Sequence, residues 1–235
     1  MIYLRSIIFN LGMCIFTVPF TLLGLFSFPF PPLQRYRFLS IWAHCMLWWL
    51  NVSCGLSFTV KGQENIPNNP SIILCKHQSA WETLALQLIF PPQVWVLKRS
   101  LLLIPFFGWA LALTSPIAIN RAAGREALKQ LVAQGKDRLA KKLWVVIFPE
   151  GTRTMPGERG KYHIGGAWLA THTKTQVVPV AHNAGQFWRK NSFLKQPGVI
   201  EVSIGKPIQS EGLKPDALNQ AVEGWIETEM LTFSK

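Results

Sequence analysis

The chain has 235 residues and a formal net charge of +12, from 24 Lys and Arg against 12 Asp and Glu. Only 15% of its residues are charged and 49% are hydrophobic, which excludes an intrinsically disordered chain. The apolar composition, with ten Trp and fifteen Phe, also argues against a soluble nucleic-acid-binding protein and favours a membrane surface. We therefore expect the membrane lipid bilayer as a partner, and no nucleic acid.

The first sixty residues contain no acidic residue and include two uncharged stretches, 6–34 and 38–60. Each is long enough for a helix that crosses the hydrocarbon core, which needs about 20 residues. Three prolines within 29–32 predict that the first helix ends there and that the chain returns sharply. Two complete spans would carry the arginines between the stretches across the membrane, against the usual retention of Lys and Arg in cytoplasmic loops. We therefore favour a membrane-associating helical hairpin over residues 1–56 that dips into one leaflet, with one true span as the alternative.

Residues 57–235 have a different character, because short apolar, β-branched runs alternate with longer helical patterns. This alternation is typical of an α/β domain, and we predict a mixed β-sheet flanked by helices. The predicted strands are 57–61, 71–75, 93–97, 116–119, 143–148, 176–180 and 199–204. The predicted helices are 80–90, 101–113, 122–142, 165–173 and 215–233.

His77 follows the end of a predicted strand, the position at which α/β sheets place their ligands. Ser79 and Glu82 form the S-x-x-E pattern of a capping box, which would start a helix at about residue 80. In a structural interpretation, Glu82 is a cap partner and His77 is a loop residue. In a functional one, His77 is a general base and Glu82 orients its imidazole, because a carboxylate stabilises the imidazolium that forms. The spacing is compatible with both.

Three further segments place chemically informative residues at or after predicted strands. One strand ends in the sequence PEGTR at 149–153, whose glycine permits close backbone approach and whose Arg153 offers a planar fork for phosphate oxygens. Lys98 follows another strand and precedes the sequence IPFFG at 104–108. Pro179 interrupts a third strand, which predicts a position at a sheet edge or bulge.

In order and spacing, these four segments resemble the acyltransferases that esterify glycerolipids, and most of all their bacterial lysophosphatidate members. The resemblance covers roughly residues 60–205. It implies transfer of a fatty acyl group from acyl-CoA or acyl carrier protein to the sn-2 hydroxyl of 1-acyl-glycerol-3-phosphate, giving phosphatidate. It also implies a place in phospholipid biosynthesis at the bacterial inner membrane, with the catalytic domain on the cytoplasmic side. The thioester would be a co-substrate, and we expect no cofactor.

The resemblance also implies roles for individual residues. His77 and Glu82 would be catalytic as an H-x4-E motif, in which Glu82 stands where the family usually has Asp. The substrate phosphate would be bound by Lys98, Arg153 and Arg121, and the motifs would be supported by Glu150, Gly151, Thr152 and Pro179.

Two alternatives stay open on the sequence. The acceptor is another lyso-lipid, such as a lyso-ornithine lipid without phosphate, or the chain is a non-catalytic lipid-binding membrane protein. The four cysteines have no C-x-x-C spacing, and the remaining histidines form no ligand pattern with carboxylates. We therefore expect neither a disulfide framework nor a metal site.

Overall fold

The computed structural model describes residues 1–104 and 107–233, with the backbone alone at Phe107 and Arg121. The helices are α1 (Ile2–Leu25), α2 (Pro32–Cys54), α3 (Trp81–Ile89), α4 (Phe107–Leu113), α5 (Arg125–Ala140), α6 (Gly165–Thr173), α7 (Ala184–Phe187) and α8 (Pro215–Met230). The strands are β1 (Leu56–Lys61), β2 (Ile72–Cys75), β3 (Gln93–Lys98), β4 (Ile117–Ile119), β5 (Trp144–Ile147), β6 (Val177–His182) and β7 (Gly198–Ile204).

The seven strands form one sheet in the order β1-β7-β6-β2-β5-β3-β4. β6 and β7 are antiparallel, whereas the other paired strands run parallel. This mixed sheet, flanked by helices, confirms the predicted fold class, and each predicted strand has an observed counterpart. Because β6, β2, β5, β3 and β4 point the same way, their carboxyl ends lie along one edge of the sheet.

Helices cover both faces of the sheet. On one face, Phe9, Met46 and Leu50 of α1 and α2 share a core with α3 and with inward-facing strand residues. On the other face, residues such as Leu131 of α5 and Val222 of α8 form a second core with α6. The two N-terminal helices thus form part of a packed layer, and the predicted division of the chain after residue 56 stays a prediction.

The helical hairpin of α1 and α2 contacts the rest of the protein at both of its ends. Near the start of α1, Lys195 donates its backbone N–H to Ser6 Oγ at 3.1 Å and its Nζ to Asn10 Oδ1 at 3.3 Å. Near the start of α2, Arg35 Nη2 donates to Ser115 Oγ at 2.9 Å. The hairpin therefore lies along the sheet domain instead of projecting away from it.

The outer face of α1 is strongly apolar and exposed. Among the described helices, α1 alone is long and apolar enough to cross a membrane by length and composition, with a mean hydropathy of 1.9 in its best window. Signal sequences and core helices can have the same length and apolar composition, but only 17% of this window is buried in the protein. The exposed apolar side chains of α1 and the following turn include Leu11, Ile15, Val18, Phe26 and Phe28.

Two predicted helices are interrupted. The helix predicted over 101–113 is a 3-10 turn at Arg99–Leu103 followed by α4. Pro105 lies between them, and proline lacks an N–H and disfavours helix in the preceding residue. Pro105 and Phe106 themselves lie outside the described residues. In the helix predicted over 122–142, Gly124 adopts φ +53 and separates a short turn from α5.

Pro179 lies on β6, an interior strand, so of the two predicted positions, a sheet edge or a bulge, the sheet edge is wrong. The antiparallel pairing of β6 with β7 begins only at Val180, one residue later. At Pro179 the carbonyl instead accepts the N–H of Gly205 at 2.9 Å. The N and O of one strand residue face the same side of the strand, and the regular ladder with β7 does not extend to Pro179. The proline nitrogen, which has no N–H, is therefore not required to donate a hydrogen bond to β7.

Candidate active site

The segments singled out in the sequence follow the carboxyl ends of adjacent strands. His77 comes after β2, the turn 149–153 after β5, Lys98 ends β3 and Arg121 follows β4. In the sheet these strands are neighbours in the order β2-β5-β3-β4. Since neighbouring strands are about 4.8 Å apart, β2 and β3 are separated by roughly 10 Å. The fold therefore brings residues from four distant parts of the sequence to one edge.

His77 and Glu82 are in direct contact. His77 Nδ1 is 2.7 Å from Glu82 Oε1, and Glu82 is fully buried. Glu82 also accepts the backbone N–H groups of Gln78 at 2.9 Å and Ser79 at 2.8 Å, while Ser79 Oγ accepts the N–H of Trp81. The carboxylate thus fixes the turn before α3 and orients His77 at once, and the Glu side chain is long enough to contact the imidazole directly.

The protonation states follow from these contacts. Burial by itself would raise the pKa of Glu82, but nearby His182 and the hydrogen bonds from His77 and Ser79 outweigh it, so the net shift is downward. An ionised carboxylate only accepts hydrogen bonds, so His77 Nδ1 carries the proton and donates a hydrogen bond to Glu82. Nε2 of a neutral His77 is then the unprotonated nitrogen, and none of the described residues donates a hydrogen bond to it.

The ring of His77 also packs against a flat aromatic surface. Its centroid lies 3.9 Å from that of Phe148, with an angle of 11° between the planes. Phe148 is in turn stacked on Trp95 of β3, at 6.0 Å and 8°. With one nitrogen bonded and one face covered, rotation of the imidazole is restricted.

The turn after β5 holds the backbone of His77. Glu150 is 3% exposed, and its Oε2 accepts the backbone N–H of His77 at 2.9 Å. Its Oε1 forms an ion pair with Lys76 Nζ at 2.7 Å. Thr154 donates its N–H to the His77 carbonyl at 2.8 Å. Gly151 adopts φ +68, a conformation that favours glycine. Lys76 and Thr154 were not predicted, because neither carries a recognisable pattern in the sequence.

The residues expected to bind phosphate lie along the same edge. Lys98 is exposed and lines a surface pocket together with Arg99. Arg153 is half-buried, and the residue after it bonds the His77 carbonyl, which places Arg153 beside the His77 backbone. Thr152 is exposed. The side chain of Arg121 lies outside the described residues, so only its position after β4 is known.

His182, to which no role was assigned, lies next to this site. It is 1% exposed at the end of β6, which extends two residues further than predicted. Its Nε2 is 2.9 Å from the Lys76 carbonyl, and its Nδ1 accepts the N–H of Ala184 at 3.2 Å. A carbonyl requires a donor and an N–H requires an acceptor, so the ring is neutral with its proton on Nε2. Burial lowers the pKa of His182, although Glu82 Oε2 lies 3.9 Å away.

Within the described part of the chain, no group of three or more His, Cys, Asp or Glu side chains is arranged to hold a metal ion. The four cysteines are free, and Cys14 is exposed. What the edge of the sheet offers chemically is a histidine in contact with a buried carboxylate, two cations and a stacked aromatic pair.

The chain is similar to known proteins over most of its length. The Acyltransferase family model matches residues 57–183. The chain is 45% identical to the 1-acyl-sn-glycerol-3-phosphate acyltransferase of Pseudomonas aeruginosa, over 98% of this chain and 92% of that protein. It is 33% identical to the protein of that name from Saccharomyces cerevisiae, over 78% of this chain and 62% of that protein.

A solved structure shares the fold. The crystal structure of the 1-acyl-sn-glycerophosphate acyltransferase PlsC from Thermotoga maritima superposes with a TM-score of 0.80 at 20% identity. The alignment covers 99% of this chain and 97% of that one, so it includes the N-terminal helices. The match of the family model and the near full-length similarity confirm the resemblance inferred from the sequence, and the chain belongs to the acyltransferase family.

Proposed function

We propose that this acyltransferase moves a fatty acyl group from acyl-CoA or acyl carrier protein to the sn-2 hydroxyl of 1-acyl-glycerol-3-phosphate, giving phosphatidate. The names of the bacterial and yeast relatives support 1-acyl-sn-glycerol-3-phosphate acyltransferase activity. The observation that carries the mechanism is the 2.7 Å contact between His77 Nδ1 and Glu82 Oε1 at the carboxyl edge of the sheet.

In this mechanism His77 is the general base. Its Nε2 removes the proton from the acceptor hydroxyl while that oxygen attacks the carbonyl carbon of the thioester. The new C–O bond forms, the C–S bond breaks, and the proton passes from the imidazolium to the departing thiolate. Glu82 stabilises the imidazolium and holds the ring in the required tautomer. No acyl-enzyme is needed, so Ser and Cys nucleophiles have no part in the reaction.

The cations along the sheet edge support a phosphate-bearing acceptor. Arg153 lies next to the His77 backbone, and Lys98 ends β3, a strand roughly 10 Å from β2. Arg153 presents a planar fork for two phosphate oxygens, and Lys98 adds a point charge. We assign the phosphate of lysophosphatidate to these two residues, with Arg121 as a third contributor after β4.

The membrane placement rests on the exposed apolar surface of α1 and the turn that follows it. Side chains such as Leu11, Val18 and Phe28 are more than half exposed. In water this surface is unfavourable, whereas in a leaflet it is buried among acyl chains. We place the protein at the bacterial inner membrane with the sheet edge on the cytoplasmic side, where both substrates meet.

The test is acyl transfer by the purified protein in mixed micelles. Lysophosphatidate and a lyso-ornithine lipid are offered separately, each with an acyl-CoA and with an acyl carrier protein thioester. We expect phosphatidate from the wild type, a loss of at least about 100-fold in kcat for His77→Ala, and a smaller loss for Glu82→Gln.

A matched control is His172→Ala, since His172 is an exposed histidine on α6 outside the sheet edge. This variant is expected to retain wild-type rates. Phosphatidate formation by folded His77→Ala at the wild-type rate would contradict the mechanism. Acylation of the lyso-ornithine lipid in preference to lysophosphatidate would contradict the acceptor, and the absence of transfer to either lipid would favour a lipid-binding protein.

A further inference from the structure

A buried lysine lies directly beneath the proposed base. Lys76 precedes His77 and is 1% exposed. Its Nζ contacts Glu150 Oε1 at 2.7 Å and Glu227 Oε1 at 2.8 Å, and it donates to the carbonyl of Glu158 at 3.2 Å. A buried ammonium needs this degree of pairing, because an unpaired charge in the interior is strongly destabilising.

The second carboxylate comes from the last helix of the chain. Glu227 is on α8, 151 residues away from Lys76 in the sequence, and most of α8 packs on the opposite face of the sheet from the hairpin. The hydroxyl of Tyr162 donates to the same oxygen, Glu227 Oε1, at 2.7 Å. One turn earlier on α8, Glu223 forms an ion pair with Arg159 at 2.7 Å. The C-terminal helix therefore binds both Lys76 and the segment that follows the turn after β5.

From Lys76 the contacts continue to His77. Glu150 bonds Lys76 with one oxygen and the His77 N–H with the other, at 2.9 Å. The segment covering this pair is close-packed, since a Cβ placed on Gly160 would lie 2.8 Å from Glu150 Oε1. Glu150 thus acts on the backbone of His77, and its orientation depends on a lysine that Glu227 also holds.

We propose that Glu227 is a positioning residue for acyl transfer, which fixes His77 through Lys76 and Glu150 without contacting either substrate. This role rests on the proposed function of His77 as the general base. Glu227 holds the Lys76 ammonium in place, Lys76 holds the Glu150 carboxylate, and Glu150 fixes the backbone from which the imidazole projects.

Lys76, Glu150 and Glu227 form a cluster of one cation and two carboxylates. The effect of Glu227→Gln on activity should therefore change sign when the cation is removed. In the wild type one ammonium is shared by two carboxylates. Glu227→Gln removes one partner of Lys76 and is harmful. In a Lys76→Met background, however, Glu150 and Glu227 are two like charges without the ammonium that lay between them, so that removing the charge of Glu227 relieves repulsion. The same substitution should therefore lower activity in one background and raise it in the other.

The experiment measures kcat and the KM for lysophosphatidate in micelles for Glu227→Gln, Lys76→Met and the double variant. We expect Glu227→Gln to lower kcat about tenfold, as for loss of one charge-assisted hydrogen bond, with KM changed by less than about twofold. Lys76→Met should lower kcat about 100-fold or more. The double variant should be about threefold or more faster than Lys76→Met.

Glu223→Gln is the matched control, because it removes a more exposed ion pair from the same helix one turn away. It should keep kcat within about twofold of the wild type. If Glu227→Gln does not fold, Tyr162→Phe replaces it, since only the hydroxyl that orients Glu227 is lost, and kcat should fall about threefold.

A wild-type kcat for folded Glu227→Gln would overturn the proposal, as would an equal loss in Glu223→Gln. A double variant slower than Lys76→Met would also overturn it, because the two losses would then be independent. His77→Ala is assayed alongside these variants. If His77→Ala remains active, the proposed function itself fails; if His77→Ala is inactive while Glu227→Gln is not impaired, only the positioning role fails.

Discussion

His77 is held at its ring nitrogen, at its ring face and at both backbone polar groups. Glu82 bonds Nδ1, Phe148 covers one face, Glu150 accepts the N–H, and Thr154 donates to the carbonyl. If His77 is the general base, as we propose, it needs little reorganisation when a hydroxyl arrives, because its tautomer and direction are already set. The short H-x4-E pattern therefore depends on side chains from other elements.

The stacking of His77 on Phe148 can be tested by substitution. Phe148→Leu keeps an apolar side chain but removes the flat surface on which His77 stacks, so we expect kcat to fall about three- to tenfold with little change in KM. The measurement is steady-state acyl transfer at saturating thioester. Phe90→Leu is the control, since Phe90 is buried against Trp144 away from the imidazole. An equal fall of kcat in both variants would attribute the effect to general packing.

His182 gives a prediction about stability and pH. Its neutral ring is buried, and its pKa lies below the usual value of 6.5. As pH falls through about 6.5, the unfolded chain therefore gains a proton that the folded chain does not bind, and stability decreases. His182→Gln retains a donor and an acceptor but does not titrate. We expect the urea midpoint to fall less between pH 7.5 and 5.5 in His182→Gln than in the wild type.

The exposed His172 supplies the comparison for that measurement. His172→Gln should show the wild-type dependence of the urea midpoint on pH, because the His172 side chain is exposed to solvent in the folded protein as it is in the unfolded chain. A midpoint that drops equally in the wild type and in His182→Gln would show that other groups cause the acid sensitivity.

Helices α1 and α2 pack closely against each other at one glycine of α1. A Cβ on Gly12 would lie 2.0 Å from Nε1 of Trp49, which donates to the carbonyl of Phe9 at 3.3 Å. Gly12→Ala should displace the indole and lower the free energy of unfolding by about 1–3 kcal/mol. Gly224→Ala on α8, with no heavy atom within 4 Å of the new Cβ, should raise it by about 0.5–1 kcal/mol. Denaturant unfolding followed by Trp fluorescence measures both, and equal effects would contradict the packing described.

The elements were largely predictable from the sequence, whereas the pairings between them were not. Each strand is a short apolar run with a clear end, so the bounds of β2 and β5 were predicted to within one residue. The contact between Lys76 and Glu227 joins residues 151 positions apart, and no local pattern marks either partner. Pro179 was placed at an edge or a bulge because proline cannot extend a ladder, but the point at which the pairing with β7 stops beside it is a tertiary property.

The hairpin packs against the sheet domain and forms a continuous surface with it. The contacts of Lys195 with Ser6 and Asn10 hold the start of α1, and the contact of Arg35 with Ser115 holds the start of α2. A hairpin that spans the bilayer would have its turn on the far side, which would require the Arg35 contact to break. The geometry therefore supports our proposal that the hairpin enters one leaflet, through the outer face of α1 and the turn at 26–30.

This topology predicts which side of the membrane a label reaches. Gln34 is exposed at the start of α2, next to Arg35. In inside-out inner-membrane vesicles, Gln34→Cys in a Cys14→Ser background should react with a membrane-impermeant maleimide, because the cytoplasmic face is outward. The Cys14→Ser parent gives the background from half-buried Cys45 and buried Cys54 and Cys75.

Right-side-out vesicles should leave Gln34→Cys unlabelled until they are permeabilised. Labelling from the periplasmic side alone would instead mean that α1 and α2 both cross the bilayer, and that the contact between Arg35 and Ser115 does not form in the membrane.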